Sequence, residues 1–268
     1  MGSLMIVVNE QIENRRMIWN LTNYESKNRY AGNALGSIWV FLNPFIQICI
    51  FWFAFGVGLR GGSPVGEIPF LIWLLTGLMP WFYISACINQ GATSISSKLS
   101  LASKVSFPLS IVPIYVIFSQ LQTHLILLSL IFFLMIVFGV GFAGLSILGL
   151  LYFIFATTVF LIALSFVTST LISIVKDLRL LIEHIVRLIF WTTPIMWQVG
   201  NTSFWYGLVL RANPVYYLVI GYRNSFLYAD VTSIPLIDTI YFWSLTAFML
   251  ILGTRIHVKF RREFIDYL

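Results

Sequence analysis

Trp39, Asn43 and Gln47 recur at every fourth position within an apolar run, so on a helix they share one face. A second apolar run carries Thr76, Pro80, Tyr83, Cys87 and Gln90 at helical spacing, and a third carries the hydroxyls Thr158, Ser165, Ser169 and Ser173. Aromatic faces stack on sugar rings, and neutral amides exchange weak hydrogen bonds with hydroxyls without trapping them. That chemistry suits a path for a polymer and makes no bonds. Small and hydroxyl residues also serve helix packing in membranes, which is the simpler reading for the third set. For Trp39, Asn43 and Gln47 both readings stand, and Thr76 and Tyr83 join them as pathway candidates.

Bond-making machinery is absent from the pattern. The chain has no GxxxxGK[ST] phosphate loop, no HExxH, no paired-cysteine motif and no GxSxG. Its apolar runs hold almost no carboxylate. An ion-coupled carrier keeps an acid near the membrane midplane, so that class is disfavoured. The 10 Asp and Glu residues are scattered, which argues against a metal-dependent transferase. Cys49 and Cys87 both fall in apolar runs and read as small packing residues. His124, one turn from Gln120, reads as a neutral hydrogen-bonded packing residue in preference to a proton relay. Neither a metal nor a cofactor is expected on this chain.

The elements that hold these residues follow from composition. Of 268 residues, 59% are hydrophobic and 10% charged, with a mean hydropathy of +0.90. Soluble domains carry about 25% charged residues, so the chain is an integral membrane protein. Its apolar runs are continuous and not alternating, which selects helices over a barrel. The sequence predicts an all-α integral membrane protein with an N-terminal amphipathic segment over 1–35 and a six-span domain over 36–268. The spans are expected at 36–59, 68–90, 113–138, 145–175, 180–199 and 234–254, the fifth being the least apolar. With the N-terminus inside, 13 of the 16 Lys and Arg residues fall on cytoplasmic segments, and only Arg60, Arg211 and Arg223 fall outside. This bias places both termini in the cytoplasm. No basic patch stands on a soluble domain, so nucleic acid is not an expected partner.

Three segments do not span. Residues 10–30 can place Ile12, Trp19 and Tyr24 on one side with charges opposite, as an interfacial helix does. Residues 97–108, SKLSLASKVSFP, contain Ser97, Lys98, Leu101, Lys104, Val105 and Phe107 before a stop at Pro108. They form about two turns of amphipathic helix, a handle for another protein. Residues 200–233 are split by Asn213-Pro214 into pieces too short to span, and read as paired short helices in the outer leaflet with Arg211 and Arg223 at the rim. A charged knot of Lys176, Asp177, Arg179, Glu183, His184 and Arg187 precedes and opens the fifth span. Glu183 and Arg187 are spaced for a helical pair, and the knot reads as a second cytoplasmic handle.

Residues 30–56, with Leu35, Gly36, Trp39, Asn43, Pro44, Phe55 and Gly56, resemble the first span of the permeases of ABC-type polysaccharide exporters. GLMPWFYISACINQGATSISSKLSLASKVSFP (77–108) and NPVYYLVIGYRNSFL (213–227) are similar to that family's second span with its cytoplasmic loop and to its outer segment. Within the family the pattern looks most like wall teichoic acid translocation permeases, with O-antigen and capsule permeases as close relatives. The resemblance implies a bacterial cell-membrane homodimer that pairs with two copies of an ATPase subunit, which binds the ATP and Mg. It implies coupling helices at 97–108 and at Lys176, Asp177 and Arg179. It also implies an undecaprenyl-diphosphate-linked polymer as cargo. Lys27 and Arg29, at the inner headgroup level, then become candidates for steering the diphosphate, although ordinary anchoring is the simpler explanation of basic residues there.

Overall fold

The computed structural model describes residues 2–59, 61–102, 108–140, 145–199, 204–228 and 233–261, apart from the side chains of 100–102 and 204. Among them, regular structure is helical except for a single bridge between Val65 and Ile68 in the turn before the second long helix. Two short helices, α1 (Ser3–Glu13) and α2 (Arg15–Asn28), come first. They meet at Asn14, whose amide donates to the Glu10 carbonyl at 2.8 Å. Gly36 then turns the chain into the first span with φ +49°, a left-handed conformation that glycine adopts without strain. That span runs from Gly36 to Leu59. It comprises a 3-10 turn (Gly36–Ile38), α3 (Trp39–Phe51) and a π-helical end (Trp52–Leu59), with Pro44 inside α3.

The centre of the bundle is α4 (Phe70–Ala92). It is apolar all round, as a helix enclosed by others must be. In its most apolar stretch 78% of residues are buried, against 11% for the first span. Around it stand α6 (Ile111–Val137) and α7 (Ile147–Ile174), with α11 (Leu236–Phe260) packed on α7. A short helix, α5 (Ser94–Ala102), follows α4 after one residue. The five long apolar helices coincide with the expected first, second, third, fourth and sixth spans.

The expected fifth span is different. Here α8 (Leu178–Thr192) is only 15 residues long, about 22 Å where a bilayer core needs about 30 Å. Pro194 ends it: a residue before proline is driven out of the helical region, and Thr193 is extended at φ −86°, ψ 135°. The chain continues irregularly, with Thr193, Pro194, Ile195 and Met196 buried against the bundle. Irregular backbone at bilayer depth persists only where protein encloses it and meets its polar groups.

Arg223 meets them. It lies on α10 (Pro214–Leu227), which follows α9 (Phe204–Ala212) after the expected break at Asn213-Pro214. Asn213 caps α10 by accepting from the Val215 N–H at 3.0 Å, and its amide donates to the Thr193 hydroxyl at 2.9 Å. Most of α10 is buried against α4 and α7. Gly221 permits this, since a Cβ there would fall 2.1 Å from the Phe153 ring. Arg223 is therefore not at a rim, as its spacing had suggested. It is 5% exposed, donates to the Pro194 and Ile195 carbonyls at 2.8 and 2.9 Å, and lies 3.9 Å over the Trp73 ring. Arg211 is exposed as expected, 4.0 Å from Asp238.

The first helix and the end of the last long helix meet at one end of the bundle. Arg261, just past α11, pairs with Glu10 of α1 at 2.9 Å, and Gln11 donates to the Ser110 carbonyl, just before α6, at 3.1 Å. On α2, Ile18 packs with Ile111, Val112, Tyr115 and Val116 of α6. Ile12 of α1 and Trp19 and Tyr24 of α2 remain 56%, 63% and 65% exposed, on two helices divided at Asn14 where one was expected over 10–30.

Candidate functional site

At the same end of the bundle, the loosely packed first span stands off from α4 and α6 and leaves a cavity of about 310 Å³. Asn43 and Gln47 line it from α3, Tyr83, Asn89 and Gln90 from α4, and Gln120, Thr123 and His124 from α6, with Arg29 and Tyr30 completing the lining. The helical spacing of Asn43 and Gln47 puts both on this wall. Trp39 is half-buried and outside the lining. Thr76 shares a face with Tyr83 but stands two turns away, where α4 is wholly enclosed; its hydroxyl donates to the Trp73 carbonyl at 2.8 Å. Of the five pathway candidates, Asn43, Gln47 and Tyr83 therefore belong to the cavity, whereas Trp39 and Thr76 do not.

The cavity's inner wall is knit together by side-chain contacts. The Tyr83 ring stacks on His124 with centroids 4.7 Å apart, and its hydroxyl shares a hydrogen bond with Thr158 at 3.1 Å. His124 Nε2 in turn shares one with the Tyr222 hydroxyl at 3.0 Å. His124 is thus a packed link among α4, α6 and α10. Thr158, Ser165, Ser169 and Ser173 are all buried, and Ser165 lies close against Gly91 of α4. The hydroxyl set is helix packing.

Arg29 closes the wall on the α2 side. Its two terminal nitrogens donate to Thr123 and Ser119 of α6, each at 2.9 Å. Burial lowers the pKa of its guanidinium from the ordinary arginine value, and nearby Tyr30 and Glu25 oppose that shift. Arginine stays protonated regardless. Among the described residues no carboxylate lines the cavity, and its charged side chain is Arg29. Lys27, the other steering candidate, is exposed and outside the lining.

The amides Asn89 and Gln120 were not singled out by sequence reasoning, nor were Ser119 and Thr123. Gln120 donates to the Gln90 side-chain oxygen, and the Asn89 amide donates to the Ser85 carbonyl at 2.9 Å. A usable signal did exist: amides gathered near the same end of two otherwise apolar helices. Asn89 and Gln90 also border a second cavity of about 170 Å³, closed on its far side by Arg179 and Glu183 of α8.

Both expected handles lie at this end. On α5, Lys98 pairs with Glu25 of α2 at 3.0 Å, and Ser97 donates to the Ser94 carbonyl at 3.0 Å. Ile95 and Leu99 pack with Leu109 and Phe260. The Leu101 side chain and residues Lys104, Val105 and Phe107 lie outside the described residues. Lys176, Asp177 and Arg179 are exposed at the start of α8. Glu183 pairs with Arg179 at 3.1 Å in place of the expected Arg187, because an acid has a helical neighbour one turn away on either side. Among the described residues, no three His, Cys, Asp or Glu side chains gather as they would around a metal ion.

The model of the ABC-2 type transporter family matches residues 16–227. The chain is 28% identical over 225 residues to the O-antigen export system permease protein RfbA of Myxococcus xanthus, covering 82% of this chain and 84% of that protein. It is 23% and 24% identical to two Klebsiella pneumoniae proteins of the same name, over 92% of this chain and 93% of each relative.

Proposed function

The chain belongs to the ABC-2 type transporter family of membrane proteins, and from that premise we propose that it is the membrane subunit of an ATP-driven exporter of lipid-linked polysaccharide. Family membership makes it a membrane transport subunit that works with an ABC ATPase. The finer reading is ours. The cargo is a polysaccharide of the O-antigen kind, carried on an undecaprenyl diphosphate and moved from the cytoplasmic side outward. The names of the relatives favour this cargo over the teichoic acid polymer that the residue pattern most resembles.

One observation carries the reading. Among the described residues the cavity is walled by amides, hydroxyls and aromatic rings beside Val40, Pro44, Ala86 and Leu127, with Arg29 as its charged side chain and no acid, a mixed lining that serves hydroxyl-rich and anionic cargo. Arg29, with Lys27 beside it, steers the diphosphate, and Asn43, Gln47 and Tyr83 line the start of the path. Two copies of the chain pair with two ATPase subunits, which contact α5 and the turn at Lys176, Asp177 and Arg179 and bring in rigid-body motion. The Glu10–Arg261 pair supports a shared side for both termini, and the basic bias supports the cytoplasm as that side. Replacing Leu101 and Val105 by Asp is expected to abolish recovery of the complex with the ATPase.

The test is reconstitution. Vesicles holding this chain and its ATPase should present a lipid-linked O-antigen-type polysaccharide to an external glycosidase only when ATP is supplied. Equal movement by this chain alone would sink the proposal. Faster movement of a lipid-linked poly-glycerol phosphate would restore teichoic acid as the cargo.

A further inference from the structure

We infer that a cavity between α10 and the start of α11 seats a zwitterionic phospholipid head group of the phosphatidylethanolamine kind, with Arg211 meeting its phosphate and Asp238 its ammonium. The cavity measures about 210 Å³, and Arg211, Tyr216, Asn224, Ser233 and Asp238 line it beside apolar side chains. It stands at headgroup level. Asp238 lies in the first turn of α11, whose 25 residues rise about 37 Å to the end where Arg261 pairs with Glu10. The seat therefore belongs to the leaflet opposite that pair. Both of its flanks lead into lipid. Leu208 and Val209, just before Arg211, are 52% and 62% exposed, and Leu236 and Ile237, just before Asp238, are 73% and 64% exposed. Tyr241 donates to the Ala212 carbonyl at 2.9 Å, so the two apolar tracks converge on the cavity. Acyl chains cover such tracks, whereas a soluble ligand leaves them bare.

Charge narrows the ligand. Arg211 Nε and Asp238 Oδ2 stand 4.0 Å apart, where the other described ion pairs close to 2.9–3.1 Å. So open and partly exposed a pair contributes little by itself, and both groups keep hydrogen-bonding capacity for a ligand. A simple anion is repelled by Asp238 and a simple cation by Arg211. A molecule that carries both charges a few bonds apart satisfies the two together. Tyr216 shares their field: burial pushes the pKa of its hydroxyl up, with Arg211 opposing and Asp238 adding. Asn224 donates through its NH2 to the Ser233 hydroxyl at 2.8 Å, which leaves its oxygen to accept from an ammonium. Size agrees. The volume falls below that of drug-sized pockets, roughly 300–1,000 Å³, and admits a head group while the acyl chains stay outside.

The test is native mass spectrometry of the purified full chain with three lipids of matched acyl chains: phosphatidylethanolamine, phosphatidylglycerol and phosphatidylcholine. Phosphatidylethanolamine should bind about tenfold more tightly than either of the others, the worth of one charge-assisted hydrogen bond. Phosphatidylglycerol brings no ammonium, and the methylated ammonium of phosphatidylcholine donates no hydrogen bond. Asp238→Asn should bring phosphatidylethanolamine and phosphatidylglycerol to parity. Arg211→Gln should weaken phosphatidylethanolamine about tenfold. Melting curves of both variants should match that of the unaltered chain. If Asp238→Asn does not fold, Arg211→Gln decides alone, because the Arg211 side chain is 55% exposed and its loss leaves no cavity in the bundle. Equal binding of phosphatidylethanolamine and phosphatidylglycerol by the unaltered chain, a preference that survives Asp238→Asn, or an affinity unchanged in Arg211→Gln would each overturn the inference. So would displacement of the bound lipid by soluble N-acetylglucosamine, which would give the cavity to a saccharide. Neither cargo nor ATPase takes part, so the result stands apart from the exporter reading.

Discussion

Arg29 and Arg223 show what surroundings do to one side chain. Neither forms an ion pair among the described residues, and each donates through both terminal nitrogens. Arg223 is spent on backbone: it satisfies two carbonyls freed where Pro194 stops α8, and it covers the Trp73 face. Buried backbone carbonyls left without a donor are costly, so the contact supports the fold. Arg29 is held by two hydroxyls instead. Hydroxyls rotate and find other partners, and Ser119 already donates to the Val116 carbonyl at 2.9 Å. The first arginine belongs to the fold. The second is held by side-chain hydroxyls that can exchange it for other partners.

The sharpest way to break this contrast is Arg223→Gln. Losing two hydrogen bonds from a charged donor, at about 1.5–3 kcal/mol each, should lower stability by about 3 kcal/mol or more, read as a falling melting temperature and poor recovery of monodisperse protein. A melting curve like that of the unaltered chain would remove Arg223 from the fold's support. Gly77→Ala probes the same region from the opposite helix. Its Cβ would fall 2.5 Å from an Arg223 terminal nitrogen and 3.0 Å from the Ile195 oxygen, an overpacking expected to destabilise by about 1–3 kcal/mol.

Arg29→Gln should behave in the opposite way. It should lower the melting temperature less than Arg223→Gln does, because the Ser119 and Thr123 hydroxyls it leaves rotate to other partners, while ATP-driven transport drops about tenfold, the worth of a charged hydrogen bond to the cargo. A large loss of stability with normal residual transport would make the two arginines alike after all. The smallest effect is expected from Glu25→Gln, which breaks the pair with Lys98. Such partly exposed pairs contribute about 0–1 kcal/mol, so stability should barely change. Because Glu25 lies one turn before Arg29 on the same helical stretch, the variant should loosen the link between α5 and the cavity, seen as ATP hydrolysis less tightly matched to transport.

Much of this was legible in the sequence where the cause was local. The helical period placed Asn43 and Gln47 on one wall, and Asn213-Pro214 marked the break between α9 and α10. It failed where a partner far along the chain decided. Trp39 and Thr76 have the right types at the right spacing, yet neighbouring helices close over Thr76 and the cavity passes Trp39 by. Glu183 could reach either of two arginines, and the structure pairs it with Arg179. The α8 segment had enough apolar residues to be counted as a span, but Pro194 stops its helix after Thr192, so the chain continues past it as irregular backbone.

The sequence by itself determined that this chain lives in a membrane, where its five long helices lie and which end carries its basic residues. Those properties follow from bilayer thickness and from the cost of burying charge, both met by short stretches of chain acting alone. The tertiary structure alone decided that Arg223 is buried, that the end of α8 is irregular and held, and that amides from α3, α4 and α6 meet around one cavity. Each of those depends on groups brought together from 20 or more positions apart in sequence, such as the 30 that separate Gln90 from Gln120, and only packing sets which of them touch.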